Sequence, residues 1–119
     1  MAIRQILQHL RTPIEQLDRE SLRSWTSATH ATAIADVVPR KPVQICGEIS
    51  SVRIVPRAGS PSLQVTVTDG TGFASAVFLG RRRIRGLTPG RRISLEGVAG
   101  REGRVFELLN PRYEFLTGT

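Results

Sequence analysis

Six arginines crowd into twelve residues. Arg81, Arg82, Arg83, Arg85, Arg91 and Arg92 carry no acid among them. Each guanidinium stays charged and presents a planar fork of N–H donors that fits phosphate oxygens. An uncompensated cluster of this kind costs self-repulsion, which a polyanionic partner relieves. Arg53 and Arg57 flank a turn-rich stretch earlier in the chain, Arg101 and Arg104 flank a later one, and Arg112 precedes Tyr113. Arg57 and Arg101 are the better candidates among these for single phosphate contacts, with Glu102 partly offsetting Arg101.

Across 119 residues, 17 basic side chains outnumber 10 acidic ones, a formal net charge of +7, and Lys41 is the only lysine. Eleven of the basic and six of the acidic groups lie in residues 43–119, so the surplus belongs mainly there. Such a balance points to nucleic acid or an acidic surface as the partner.

Other chemistries find no residues to use. Cys46 is the single cysteine, and His9 and His30 are the only histidines. That excludes a disulfide framework and the ligand patterns of zinc, haem and iron–sulfur centres, so neither metal nor cofactor is expected. Lys41 follows no glycine-rich loop, which removes the nucleotide-binding phosphate loop. Gly97, Gly100 and Gly103 have the spacing of a phosphate cradle. They span a strand end and a hairpin instead of a strand-to-helix turn, and read as turn glycines. Nothing sets a serine, His30 and Asp36 together as a triad. The chain reads as a binding module, not an enzyme.

The elements that must position the arginines change character near Pro39. Residues 1–38 read as a helical N-terminal extension and linker, and residues 39–119 as a β domain. Ile3, Ile6, Leu7 and Leu10 recur at helical spacing. Thr12-Pro13-Ile14-Glu15 has a capping-box pattern. Leu17, Leu22 and Trp25 share a face if residues 21–29 are helical, and Trp25 then anchors the extension to the barrel. Asp36–Pro42 reads as an extended linker, held so by Pro39 and Pro42.

From Val43 the period is two. Val43, Ile45, Gly47 and Ile49 alternate with Gln44, Cys46 and Glu48. Val52 and Ile54 fall out of phase, which predicts a bulge at Ser50–Ser51. Pro56–Pro61 reads as a loop, Leu63–Val67 as a half-buried strand, and Asp69–Gly72 as the turn into a strand over Phe73–Leu79. Ile84 and Leu87 are predicted to plug the barrel from a short helical turn. A fourth strand is marked by Ile93, Leu95 and Gly97, a turn by Gly100–Gly103, and a fifth strand by Val105–Leu109. Arg112–Leu116 continues as an edge segment. Five strands with a bent first strand describe a small Greek-key barrel of the OB type. An SH3-like barrel is the alternative, which the long first strand and the connection between strands three and four disfavour.

Three segments carry a family resemblance. They are Val43-x-x-x-Gly47-x-Ile49, Asp69-Gly70-Thr71-Gly72, and Leu87-x-Pro89-Gly90-x-x-Ile93-x-Leu95-x-Gly97. In order and spacing they resemble the nucleic-acid-binding OB family, which includes anticodon-binding domains of tRNA synthetases and the wedge domain of the RecG helicase. Asn110-Pro111-x-Tyr113-Glu114 resembles the end of that wedge. The chain is also similar to small stand-alone OB proteins of actinobacteria that carry a short helical N-terminus. Helicase motor motifs are absent, so the resemblance implies binding and not unwinding.

Strand parity then proposes a face. With Leu63, Val65 and Val67 inward, Gln64, Thr66 and Thr68 point out. By resemblance to the synthetase domains, Phe73, Ser75 and Val77 share that outer face, while Ala74, Ala76 and Phe78 fill the core. Phe73 is the candidate for base stacking, with Tyr113 as a second aromatic. Such a platform is poor in aromatics, so binding leans on arginine–phosphate contacts and is salt-sensitive. The expected partner is single-stranded DNA or RNA. The alternative is a protein partner or a homo-oligomer formed through residues 1–30. A membrane surface is disfavoured because Arg4 and Arg11 alone charge the N-terminal helix too weakly. With no 18-residue apolar run and no secretory signal, a soluble cytoplasmic protein is expected.

Overall fold

The computed structural model describes residues 20–25, 29–102 and 105–116. The stripe of Ile3, Ile6, Leu7 and Leu10, the capping pattern at Thr12–Glu15, Leu17 and Arg104 lie outside these residues, as do the side chains of Arg101 and Glu102. Six strands follow in order: β1 (Pro42–Arg57), β2 (Ser60–Thr68), β3 (Phe73–Leu79), β4 (Arg92–Glu102), β5 (Val105–Leu109) and β6 (Arg112–Leu116). β1 pairs with β2, β2 with β3, β3 in parallel with β5, β5 with β4, and β4 back with β1. This closed circuit is the OB barrel, not the SH3-like alternative. β6 adds a sixth strand along the first half of β4, pairing Arg92 with Leu116 through to Glu96 with Arg112. Among the described residues, no helix is long and apolar enough to cross a membrane.

The bulge lies where the hydrophobic alternation slips. The β1–β2 register shifts between Ile49 and Ser51, and the Ser50 hydroxyl donates to the Thr66 carbonyl there. The extra residue lets one strand serve two neighbours, since residues 42–48 pair with β4 and residues 48–57 with β2. Gly47 sits at the crossover. A Cβ on it would stand 2.8 Å from the Thr68 carbonyl oxygen, a backbone atom. Gly47→Ala is therefore expected to destabilise the barrel by about 1–3 kcal/mol, the usual cost of overpacking. A denaturation midpoint equal to that of the parent protein would contradict this close approach.

Val65, Val67, Ala76 and Ile93 are fully buried, with Ile45, Ile49, Leu95 and Leu108 at 1% exposure. Ile84 and Leu87 join this core from the loop between β3 and β4. The short helical turn expected of them is a single hydrogen-bonded turn, closed by the Leu87 N–H donating to the Ile84 carbonyl. Two other expected loops are strand. Pro56 pairs with Pro61 inside the hairpin, and only Ala58 and Gly59 turn the chain. Both have positive φ, 50° and 79°, as a two-residue hairpin turn matching the strand twist requires. Pro56 is tolerated because β1 is an edge strand there. Likewise β4 runs through Gly100–Glu102, which pair with β5, instead of turning at Gly100.

The linker is not extended throughout. Ile34–Asp36 form a short 3-10 turn, and Pro39-Arg40 turn again with Arg40 at φ 68°. Asp69 explains the first of these. Its fully buried carboxylate accepts from the Ile34 N–H at 2.8 Å, the Thr71 N–H at 2.8 Å and the Thr71 hydroxyl at 2.6 Å. The Thr71 Oγ1 in turn accepts from the Ala35 N–H at 3.1 Å. The β2–β3 turn thus holds the linker so that Ile34 enters the core. Upstream, residues 20–25 are helical. They are tied down by Leu22, which is buried, and by Trp25, whose ring lies 4.5 Å from the Arg92 guanidinium of β4.

Candidate nucleic-acid interface

Inward Leu63, Val65 and Val67 leave the other side of β2 facing out, and the registers extend that face across the sheet. Arg53 stands opposite Gln64, Gln64 opposite Val77, and Val77 beside Leu109. The next row runs Ser51, Thr66, Ser75 and Glu107. Glu48, Thr68 and Phe73 make a third. Six residues singled out from the sequence, Arg53, Arg57, Gln64, Thr66, Phe73 and Ser75, therefore belong to one face.

Three of them are chained. Arg53 Nη2 donates to Gln64 Oε1, and Gln64 Nε2 donates to Ser75 Oγ, both at 3.4 Å. Phe73 is 56% exposed, as stacking requires. Beside it a cavity of about 450 Å³ is lined by Leu22, Glu48, Thr68 and Gly70. Val77 has the expected parity but is fully buried, so it offers no contact surface.

The arginine cluster meets this face at its other end. β3 leaves the sheet where the Leu79 N–H donates to Asn110 Oδ1 and the Gly80 N–H to the Pro61 carbonyl. Arg81, Arg82 and Arg83 follow at once, beside the β1–β2 hairpin that carries Arg57. With Arg85 they are exposed and make no ion pair with any described residue. From Phe73 to Leu79 the strand rises six steps, about 20 Å. The face thus runs from an aromatic at one end to arginines without an ion pair among the described residues at the other.

Arg91 and Arg92 have partners within the fold. The Arg91 guanidinium lies 4.0 Å from the Phe115 ring centroid. Arg92 sits under Trp25 and 3.9 Å from Glu48. Arg112 stands exposed at the start of β6, across from Glu96. Tyr113 is opposite the inward-facing Leu95 and packs edge-on against Phe78 at 5.5 Å, which puts it away from Phe73. Arg101 pairs through its backbone with Phe106.

A family model described as an OB-fold nucleic acid binding domain, of the tRNA anticodon type, matches residues 43–116. The chain belongs to this family. The match covers the whole barrel from the first residues of β1 to the end of β6, so the family's nucleic-acid-binding character applies to the domain that carries the outer face. Solved structures agree on the fold. One is the crystal structure of the S. pombe Stn1-ten1 complex, 24% identical with a TM-score of 0.51. The likeness covers 63% of this chain and 57% of that one, and at that identity it bears on architecture alone. No curated protein matches the sequence.

One residue of this OB face escaped the sequence reading. Glu107 accepts two charge-assisted hydrogen bonds from Arg57, Nη1 to Oε1 at 2.9 Å and Nη2 to Oε2 at 2.6 Å. The signal was present: Phe106 and Leu108 both turn to the core, so Glu107 between them must point out. Its bond to Arg57, fifty residues away, had no such signal.

Proposed function

We propose that the outer face of this OB domain binds single-stranded DNA or RNA without catalysis, chiefly through arginine–phosphate contacts. The observation that carries the reading is the exposed group Arg81, Arg82, Arg83 and Arg85, without an ion pair among the described residues, at one end of a face whose other end exposes Phe73. Membership of a nucleic-acid-binding family supports it. Between the two ends the face offers Gln64, Thr66 and Arg53, polar groups able to donate to sugar and phosphate oxygens. A basic face with one stacking residue suits an unpaired strand, whose bases turn freely onto it, better than a stacked duplex.

The test is fluorescence anisotropy with single-stranded and duplex oligonucleotides over a salt series. About four phosphate contacts to a single strand predict a slope of log affinity against log salt of roughly −3, from about −0.7 per contact. Single strands are expected to bind more tightly than duplex. Equal affinity for duplex would overturn the single-strand assignment. No binding at low salt to any oligonucleotide would shift the reading to a protein-interaction or oligomerisation module acting through residues 1–30.

A further inference from the structure

The Arg57–Glu107 pair joins β1 to β5 and so spans β2 and β3 on the outer face, across the path a strand would take. It is partly buried, the side chains being 31% and 16% exposed. The residues beneath this span behave as a covered surface. Ser62 and Val77 are fully buried and Ser75 is 6% exposed, although all three lie on the outer side of the sheet, while Phe73, beyond the span, is 56% exposed. Carboxylate and phosphate engage guanidinium in the same two-pronged geometry. We propose that Arg57 is a phosphodiester subsite held in the free protein by the molecule's own Glu107 carboxylate, so that a bound strand exchanges its phosphate for that carboxylate. The proposal rests on the binding reading above and adds the position at which the strand must displace a competitor.

The exchange makes Glu107 an affinity-setting residue that opposes binding. In the free protein its charge cancels that of Arg57, and in the complex it lies beside a polyanion. The neighbouring arginines have no such competitor, since Arg81, Arg82 and Arg83 make no ion pair with a described residue. A strand is therefore expected to engage the arginine cluster first and Arg57 last.

Glu107→Gln tests this, keeping shape and hydrogen-bonding capacity while removing the charge. Anisotropy with the same single-stranded oligonucleotide is expected to show binding about threefold to tenfold tighter, in line with the strength of a partly exposed ion pair. The salt slope is expected to become more negative by about 0.7, because the Arg57–phosphate contact then releases its counterions without freeing a charged carboxylate beside the strand. Adding Arg57→Gln should abolish both gains. Thermal melting of each variant establishes that it is folded, and Glu107→Asp serves if Glu107→Gln alone melts early, because a carboxylate one carbon shorter loosens the two-pronged bond to Arg57 and should also tighten binding, unchanged binding counting against the subsite. Unchanged or weaker binding by folded Glu107→Gln, with the parent binding well, overturns the subsite while leaving the proposed function standing. If neither protein binds, both readings fall. A variant that binds where the parent does not supports the exchange directly.

Discussion

Asp69→Ala is expected to lower the stability of the protein by about 3 kcal/mol, the loss from leaving buried donors without an acceptor. Three donors depend on its carboxylate: the Ile34 N–H, the Thr71 N–H and the Thr71 hydroxyl. Alanine supplies no acceptor, and the site is fully buried, so water does not replace the lost bonds without opening the structure. The damage spreads along the linker, because Ile34 enters the core only while its backbone is held at the β2–β3 turn. For a domain of this size, Tm is expected to fall by roughly 12–24 °C, at about 4–8 °C per kcal/mol. Asp69→Asn should fall between, since an amide keeps one acceptor and turns one donor against a donor. Trp25 is the only tryptophan and lies on β4 just upstream of this linker, so its emission reports whether the extension detaches before the barrel melts. A Tm within about 2 °C of the parent would show that the carboxylate is not what holds the linker.

Asp69 also marks how far the sequence could be read. Asp69-Gly70-Thr71-Gly72 was legible as a turn, because those residue types favour turns locally. Its second task, gripping a linker thirty-five residues away, depends on where the chain returns, which no local pattern encodes. The same division runs through the barrel. Val105–Leu109, the bulge at Ser50 and the inward face of β2 followed from a period of two, because a sheet with one buried face imposes that period. The hairpin at Ala58-Gly59 did not follow. Two prolines suggested a loop, whereas an unpaired strand edge admits Pro56 and the turn depends on an alanine at positive φ. Within the site, Gln64 and Thr66 were placed by parity, and Phe73 and Ser75 by the family resemblance. Tyr113 was not, because β6 pairs with β4 and faces Phe78, a pairing set by topology. Arg57 was legible as a charge, but its engagement by Glu107 was not.

Replacing Arg81, Arg82 and Arg83 together with glutamine is expected to weaken single-strand binding by about tenfold to a hundredfold at moderate salt, and by similar factors for every sequence. The three are exposed and unpaired among the described residues, so in the free protein they hold no structure together and their loss should leave Tm within a few degrees. Phosphate contacts carry no sequence information directly, hence the uniform loss. Each contact removed should flatten the salt slope by about 0.7, so three contacts take away about 2 of a slope near −3. Phe73→Ala separates the two ends of the face. It removes a stacking surface and no charge, so it should cost roughly 1–3 kcal/mol with the slope nearly unchanged. If the arginines served only solubility, the triple variant would bind as the parent does, and the salt series would show the same slope. If the strand instead lay away from this end of the sheet, Phe73→Ala would weaken binding while the triple variant kept both affinity and slope. A loss of affinity without flattening would mean that the arginines contact bases or protein, not phosphate. Only a loss that comes with a flatter slope in the triple variant, and without one in Phe73→Ala, fits a strand running from Phe73 to the arginine cluster.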